Sequence, residues 1–250
     1  MNELNRLLKE AARLIRGCER VVALTGAGIS VESGIPAFRG VQGLWERYDP
    51  MQYASIDAFR AKPGKVWKML LELHTVIGKA HPNPAHINLA EMERMGCLRA
   101  IITQNIDRLH HDAGSRYVIE FHGNGRRMVC LGCGEIVPTN QVDLSSVPPY
   151  CLCGGLLKPD VVFFGEPIPL ETLTRAEEEA RHSNVMMVIG TSASVAPACD
   201  MPRMGKERGG KIIEVNTKET PLTSTITDIF LKGSAGYILP SLVEVLKALA

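Results

Sequence analysis

A doubly wound α/β fold on a parallel sheet is the architecture this sequence predicts. Two observations predict the sheet and a third predicts its working edge. Short apolar runs recur along the chain, and they alternate with amphipathic segments of helical period. Clusters of small and polar residues fall just past five of those runs: Thr25-Gly26-Ala27-Gly28, Thr103-Gln104-Asn105-Ile106-Asp107, His122-Gly123, Gly190-Thr191-Ser192 and Asn216. The C-terminal edge of a parallel sheet is where such folds bind ligands.

The elements follow in order. Leu4, Leu7, Leu8, Ala11, Leu14 and Ile15 repeat at helical spacing, with Gly17 as the stop. A strand is expected at 21–24. Residues 40–81 are irregular, with short helical pieces around 66–77. Asn83-Pro84 reads as a helix cap with proline in the first turn, for a helix ending near Gly96. A strand at 98–102, a short helix at 106–112 and a strand at 118–121 come next. A cysteine-rich segment interrupts the alternation. It resumes with a strand at 161–164, a helix at 171–182, a strand at 185–189 and a helix at 197–208. Strands at 211–215 and 229–231 and a helix at 241–250 close the chain. Repeats and low-complexity tracts are absent.

The 250 residues suffice for one large domain or one domain with an insertion. A formal net charge of +1 argues against a dedicated nucleic-acid binder. No run reaches the roughly 18 apolar residues of a membrane span. The N-terminus lacks a signal-peptide pattern, and Glu3 and Glu10 argue against an acidic-poor transit peptide. A cytoplasmic protein is therefore expected.

Of seven cysteines, Cys18, Cys97 and Cys199 are scattered and read as packing residues. Cys130, Cys133, Cys151 and Cys153 form Cys-x2-Cys, seventeen residues, Cys-x-Cys. This is close to the ribbon spacing of a structural zinc site, one residue short in the second pair. Gly132, Gly134 and Gly154 permit the tight knuckles, and four thiolates leave no open coordination position.

The loop Gly26-Ala27-Gly28-Ile29-Ser30 is either a tight strand-to-helix turn or a nucleotide loop, and the other edge clusters favour the second. A dehydrogenase fingerprint needs a third glycine soon after Gly28, and instead a second loop follows with Pro36, Phe38 and Arg39. His122 precedes a glycine on the same edge, and a neutral imidazole suits a general base near pH 7. Asn105 and Asp107 read as helix-cap residues that also face a ligand. His110 and His111 read as structural, while His74, His81, His86 and His182 have no supporting context.

With these residues in view, the chain resembles the sirtuins, the NAD-dependent protein-lysine deacylases. The loop at 26–30, Ser33-Gly34-Ile35-Pro36, Phe38-Arg39, the cluster at 103–107, His122-Gly123, the four cysteines, Lys158-Pro159, Phe164-Gly165-Glu166, Gly190-Thr191-Ser192 and Asn216 match the family's motifs in order. The resemblance implies a Rossmann-like lobe of about 1–40, 84–127 and 155–250. It implies a smaller lobe from a helical insertion at about 41–83 and a zinc ribbon at about 128–154. NAD and acyl-lysine enter the cleft between lobes. Phe38 shields the reacting ribose, Arg39 contacts phosphate, Asn105 positions ribose or water, and Asp107 holds the nicotinamide carboxamide. Gly26, Ala27, Gly28, Ser30, Gln104 and Ile106 complete that end, with His122 as base. Gly190, Thr191, Ser192, Asn216 and Ala235 take the adenosine half. Val162, Phe164 and Gly165 pair with the substrate backbone as an added strand. The implied products are free lysine, nicotinamide and O-acyl-ADP-ribose.

The sequence departs from the family at Ala37, Ala193 and Asn124. Family members that prefer succinyl- or malonyl-lysine carry Tyr-x-x-Arg in the insertion, where this chain has Leu70 and Leu73. Apolar residues cannot pair a buried carboxylate, so acetyl or longer apolar acyl groups are expected. The competing readings are mono-ADP-ribosyl transfer to protein and a non-catalytic zinc-ribbon binding module.

Overall fold

The protein is described by a computed structural model covering residues 3–38 and 43–249. Helix α1 (Glu3–Arg16) buries Leu8, Ala11, Ala12 and Ile15 on its apolar face. Strand β1 (Val21–Thr25) is buried at every position. A 3-10 helix at Ala27–Ser33 ends on Gly34, whose φ of 88° suits a residue without a Cβ. Four helices occupy the stretch expected to be irregular: α2 (Leu44–Arg47), α3 (Pro50–Tyr53), α4 (Ile56–Ala61) and α5 (Pro63–Lys79). The side chains of Asp49 and Ser55 cap the N-termini of α3 and α4. Helix α6 (Pro84–Arg94) starts at the expected Asn83-Pro84 cap, where Asn83 and His86 close a reciprocal capping box.

Strand β2 (Ala100–Thr103), helix α7 (Leu109–Asp112) and strand β3 (Val118–Glu120) come next. Helix α7 begins later than the predicted 106 because Arg108 takes a left-handed φ of 68°. The chain then leaves the parallel sheet. Strands β4 (Gly123–Cys130), β5 (Ile136–Pro138) and β6 (Leu157–Val161) form an antiparallel sheet in the order β5-β4-β6. This corrects the parallel strand expected at 161–164, since β6 ends where that run begins. The fold closes with α8 (Leu170–Arg181), β7 (Val185–Ile189), α9 (Met201–Glu207), β8 (Lys211–Asn216), β9 (Ile229–Lys232) and α10 (Ala235–Ala248). Helix α10 starts six residues before the predicted 241 and holds Pro240 inside it. The burial of Ile238, Leu239, Leu242, Val243 and Leu246 offsets the backbone bond the proline cannot make.

The large sheet is parallel throughout, in the order β3-β2-β1-β7-β8-β9. Alternate residues of β1 enter different cores. Val21 and Ala23 pack with residues of α1, α6 and α10, while Val22 and Leu24 pack with residues of α8 and α9. Burial on both faces is what makes β1 apolar up to its last residue, Thr25. A third core joins the insertion to the small sheet, around Phe59, Trp67, Met128 and Leu157. Trp67 is 2% exposed, and its Nε1–H donates to the Leu157 carbonyl at 3.2 Å. A side chain so buried contributes roughly 3–5 kcal/mol relative to alanine. The strand order reverses between β1 and β7, and a doubly wound sheet binds its ligand at such a switch point.

Candidate active site

A cleft of about 1020 Å³ lies over that switch point, walled by the strand ends, the insertion helices and the loop after β6. Its lining contains Gly26, Ala27, Gly28, Phe38, Gln104, Asn105, Ile106, His122, Val162, Phe164, Gly165, Gly190, Thr191, Ser192, Asn216 and Ala235. Ser30 and Asp107 lie behind this wall, bonded to each other. Arg39 lies outside the described residues. The four cysteines sit apart from the cleft, in the small sheet.

The glycines of the first loop serve packing. A Cβ on Gly26 would meet Thr191 Cβ at 2.7 Å, and one on Gly28 would meet the Gly190 carbonyl oxygen at 2.6 Å. The Gly26 and Gly28 N–H groups donate to Ile189 and Gly190 carbonyls at 3.1 and 2.7 Å. The loop is thus sewn to the end of β7, and those two donors face the protein. The nucleotide-loop reading of this segment therefore cannot rest on those two N–H groups. The positive end of α10 is also engaged: Glu32 accepts from Gly236 N–H at 2.7 Å and from Ser234 Oγ at 3.0 Å.

His122 has a defined tautomer. Its Nδ1 lies 3.0 Å from the Gln104 carbonyl oxygen, which only accepts, so Nδ1 carries the proton and Nε2 is the free base. Burial lowers its pKa below the ordinary histidine value, opposed by that carbonyl bond. Asn105 Nδ2 donates to Gly26 O at 3.2 Å and to Ser30 Oγ at 3.1 Å. Asn105 Oδ1 is buried with no partner among the described residues. An open buried acceptor is costly unless a ligand or water donates to it.

Ser30 donates to Asp107 Oδ2 at 2.6 Å, and Leu109 N–H donates to Oδ1 at 2.9 Å. Burial raises the Asp107 pKa, and these two bonds oppose it. The left-handed turn at Arg108 lets one carboxylate cap α7 and hold Ser30 together. Below lie two histidines that sequence reasoning left without a site role. His86 Nδ1 accepts from Asn83 N–H at 3.3 Å, which leaves Nε2–H facing Ser30 Oγ at 3.5 Å. Burial holds His86 at a pKa of about 4, so it is neutral. His110 contacts His86 edge-on at 4.9 Å and bonds Thr25 Oγ1 at 2.9 Å. Lone histidines in a helix carry no signal of this in the sequence.

The loop after β6 is held from behind. Lys158, 5% exposed at its side chain, donates to Val161 O at 2.6 Å and to Glu166 Oε2 at 2.9 Å. Phe163 N–H also donates to Glu166 Oε2, at 2.9 Å. Phe164 uses both backbone groups on the α3–α4 junction, with Ala54 O at 2.8 Å and Ile56 N–H at 3.0 Å. Phe164 therefore spends its N–H within the protein, and its carbonyl already accepts one bond there. Val162 gives its N–H to His122 O at 2.9 Å. Among the described residues, Val162 C=O and Gly165 N–H have no backbone partner. The Phe164 ring lies 6.4 Å from Trp45, which stacks on Phe38 at 5.2 Å. Met69, Leu70 and Leu73 of α5 complete an apolar end of the cleft. Trp45, Met69 and Glu32 are lining residues that the motifs did not mark.

The four cysteine sulfurs lie within 4.8 Å of one another, with Cys130–Cys153 at 3.5 Å and Cys133–Cys151 at 3.8 Å. Tetrahedral zinc with bonds of about 2.3 Å requires sulfurs about 3.8 Å apart, so the set fits a closed structural site. The Cys133 and Gly132 N–H groups point at Cys130 Sγ and help lower its thiol to about 6.

An all-parallel sheet with a cleft at its switch point, a buried Asn-Ser-Asp network under one wall and a four-cysteine ribbon define a nucleotide-binding α/β protein with a structural metal module. Residues 26–197 match the Sir2 family, and the chain belongs to that family. It is 47% identical over 237 residues to NAD-dependent protein deacylase 2 of Pyrobaculum aerophilum, covering 94% of each chain. It is 45% identical to the NAD-dependent protein deacylase of Pyrococcus abyssi, covering 97% of this chain and 99% of the relative. A solved structure of a Sir2 homologue–NAD complex superposes with a TM-score of 0.90 at 45% identity, covering 97% of this chain and 95% of that one. A Sir2–p53 peptide–NAD+ structure superposes at 0.89 with 36% identity, covering 97% and 99%. Among the described residues no helix is long and apolar enough to cross a membrane.

Proposed function

We propose that this protein is an NAD-dependent protein-lysine deacylase that consumes NAD, an acyl-lysine peptide and one water, yielding free lysine, nicotinamide and O-acyl-ADP-ribose. The observation that carries this is His122: an imidazole on the cleft wall with Nδ1 fixed by a carbonyl and Nε2 free to take a proton. The names of the relatives and the NAD-bound neighbours support it.

Bound NAD supplies a ribose carbon whose bond to nicotinamide can be broken. The protein's groups do the rest. Asn105 Oδ1 accepts from a ribose hydroxyl or a water, held in place by Ser30 and Gly26. Asp107, behind the wall and bonded by Ser30 and Leu109, fixes the Ser30 hydroxyl that holds Asn105 at the nicotinamide end. Phe38, backed by Trp45, excludes water from the ribose. His122 Nε2 takes the proton from the ribose hydroxyl that receives the acyl group. Gly190, Thr191, Ser192, Asn216 and Ala235 hold the adenosine half. Ala27 N–H, which has no backbone partner among the described residues outside the helices and strands, is the loop donor left for the pyrophosphate, since those of Gly26 and Gly28 are engaged. Cys130, Cys133, Cys151 and Cys153 hold one zinc, which braces the ribbon. Two lobes work around the cleft, one carrying the parallel sheet and the other the insertion and the ribbon.

Incubating the protein with NAD and an acetyl-lysine peptide, with products read by mass spectrometry, tests the reaction. O-acetyl-ADP-ribose and deacetylated peptide are the expected products. ADP-ribosylated protein without O-acetyl-ADP-ribose would instead establish transfer and overturn deacylation.

Val162 C=O and Gly165 N–H are the backbone groups left to pair with the peptide, and Lys158–Glu166 sets their presentation. Lys158→Met is expected to cost roughly 3–5 kcal/mol of stability, as a broken buried pair does. In the protein that remains folded, KM for peptide should rise about 10-fold with KM for NAD within twofold, as loss of one or two backbone bonds implies. An equal rise in both would show general loosening instead.

Met69, Leu70 and Leu73 support an apolar acyl preference. Succinyl-lysine is expected to show kcat/KM about 100-fold below acetyl-lysine, because its carboxylate meets no partner there. Faster desuccinylation than deacetylation of matched peptides would refute this.

A further inference from the structure

Glu214 of β8 is fully buried two positions before Asn216. Its partners are hydroxyls. Thr220 Oγ1 donates to Oε1 at 2.6 Å, while Thr223 Oγ1 and Thr227 Oγ1 donate to Oε2 at 2.7 and 3.0 Å. All three threonines belong to the loop between β8 and β9. The same hydroxyls organise the loop's backbone: Thr220 N–H donates to Thr223 Oγ1 at 2.9 Å, and Leu222 N–H to Thr220 Oγ1 at 3.1 Å. Leu222 is fully buried and anchors the loop in the core beside α8 and α9. Just upstream, Thr217, Lys218, Glu219 and Thr220 line the cleft beyond Asn216. Asn216 itself is held from both sides, donating to Thr191 O at 2.9 Å and accepting from Thr217 N–H at 2.9 Å.

The wall at 217–220 thus has one buried fixed point. A carboxylate removed from water needs several donors, and hydrogen bonds to it are stronger than those between neutral groups. Three hydroxyls from one loop can converge on it in only a narrow set of loop conformations. The loop that satisfies Glu214 is also the loop that shapes the cleft next to Asn216. Phe38, Asn105 and His122, which serve the reacting end, lie on other elements.

We propose that Glu214 is a positioning residue for the adenosine half of NAD, acting through the threonine-bound wall at 217–220. This rests on the reading above that the ends of β7 and β8 take the adenosine half. Glu214 acts on dinucleotide affinity and leaves the peptide side of the cleft alone.

Two variants test this. Glu214→Gln keeps the shape but replaces one acceptor oxygen with a donor, which the threonine hydroxyls facing it cannot use in the same way. Thr223→Val removes one donor from a residue that does not line the cleft. Binding of ADP-ribose by calorimetry is read beside KM for NAD, KM for acetyl-lysine peptide and kcat. Both variants should weaken ADP-ribose binding and raise KM for NAD about 10-fold, as loss of one such hydrogen bond implies, with peptide KM and kcat within twofold. Unchanged ADP-ribose affinity in folded variants, or parallel rises in both KM values, would overturn the assignment. Thr223→Val decides the matter alone where Glu214→Gln does not fold. A native protein that fails to deacylate would remove the functional reading, while ADP-ribose calorimetry would still decide the role of Glu214.

Discussion

His122→Ala is expected to lower kcat/KM by about 10²–10⁴-fold, the usual contribution of a positioned general base. Affinity for NAD should stay close to native, because among the described residues the ring's one hydrogen bond is to the Gln104 main-chain carbonyl, which does not depend on the ring for its place. The pH profile gives a second signature. Nε2 must be unprotonated to act, so activity is lost as pH falls through the His122 pKa. Burial lowers that pKa from 6.5, which places the acid limb of kcat/KM below pH 6.5. Each further pH unit should then cost about tenfold. Measuring kcat/KM from pH 5 to 9 on native protein and on His122→Ala tests both points. Equal turnover by the two proteins, or an acid limb centred above pH 7, would remove His122 as the base.

The second large effect concerns the metal. Cys130→Ser is expected to abolish stoichiometric zinc binding and with it the ordered small sheet. Structural zinc sites contribute roughly 10–16 kcal/mol of apparent binding free energy, which is folding free energy for a small ribbon. Cys130 is the informative ligand because it is buried in the same core as Met128, Leu157 and Trp67. That core also holds Met69 and Leu70, which line the cleft. Loss of the metal should therefore reach the acyl end of the site although no cysteine touches it. Elemental analysis should give one zinc per native chain and almost none for the variant, whose deacylation falls to background. A variant that is zinc-free, folded and fully active would refute a bracing role.

The sheet was legible because strands buried on both faces are apolar at nearly every position. Val21–Thr25, polar only at Thr25, and Val185–Ile189 are such strands, and the polar clusters at and past their ends marked the cleft. The Asn83-Pro84 cap was legible because capping is local chemistry. The insertion was not. Helices α2 and α3 are four residues each, too short for a period to show; α3 has the Asp49 cap, and both lean on the core shared with β4 and β6. Strand β6 was hidden because Lys158-Pro159-Asp160 does not look like a strand, and the partners that let Lys158 be buried, Glu166 and the Val161 carbonyl, are not visible in the sequence. The apolar run just beyond it drew the prediction instead. At Gly26 and Gly28 a sequence shows that a Cβ is missing and cannot show that Gly190 and Thr191 take its space. His86 and His110 became part of the site only when α6 and α7 were brought together beneath Ser30 and Thr25.

The position of β1 at the switch point also has a history in time. Its partner β7 lies roughly 160 residues further along the chain. At a synthesis rate of about 5–20 residues per second, β1 waits on the order of 8–30 s on the ribosome for that partner. Through that interval an apolar strand presents at least one unpaired edge, and two until β2 emerges, the condition under which nascent chains aggregate or recruit chaperones. The contact that sews Gly28 to Gly190 and completes the floor of the cleft must therefore form late in the life of the nascent chain. Its arrival marks the moment at which this polypeptide can first hold a nucleotide.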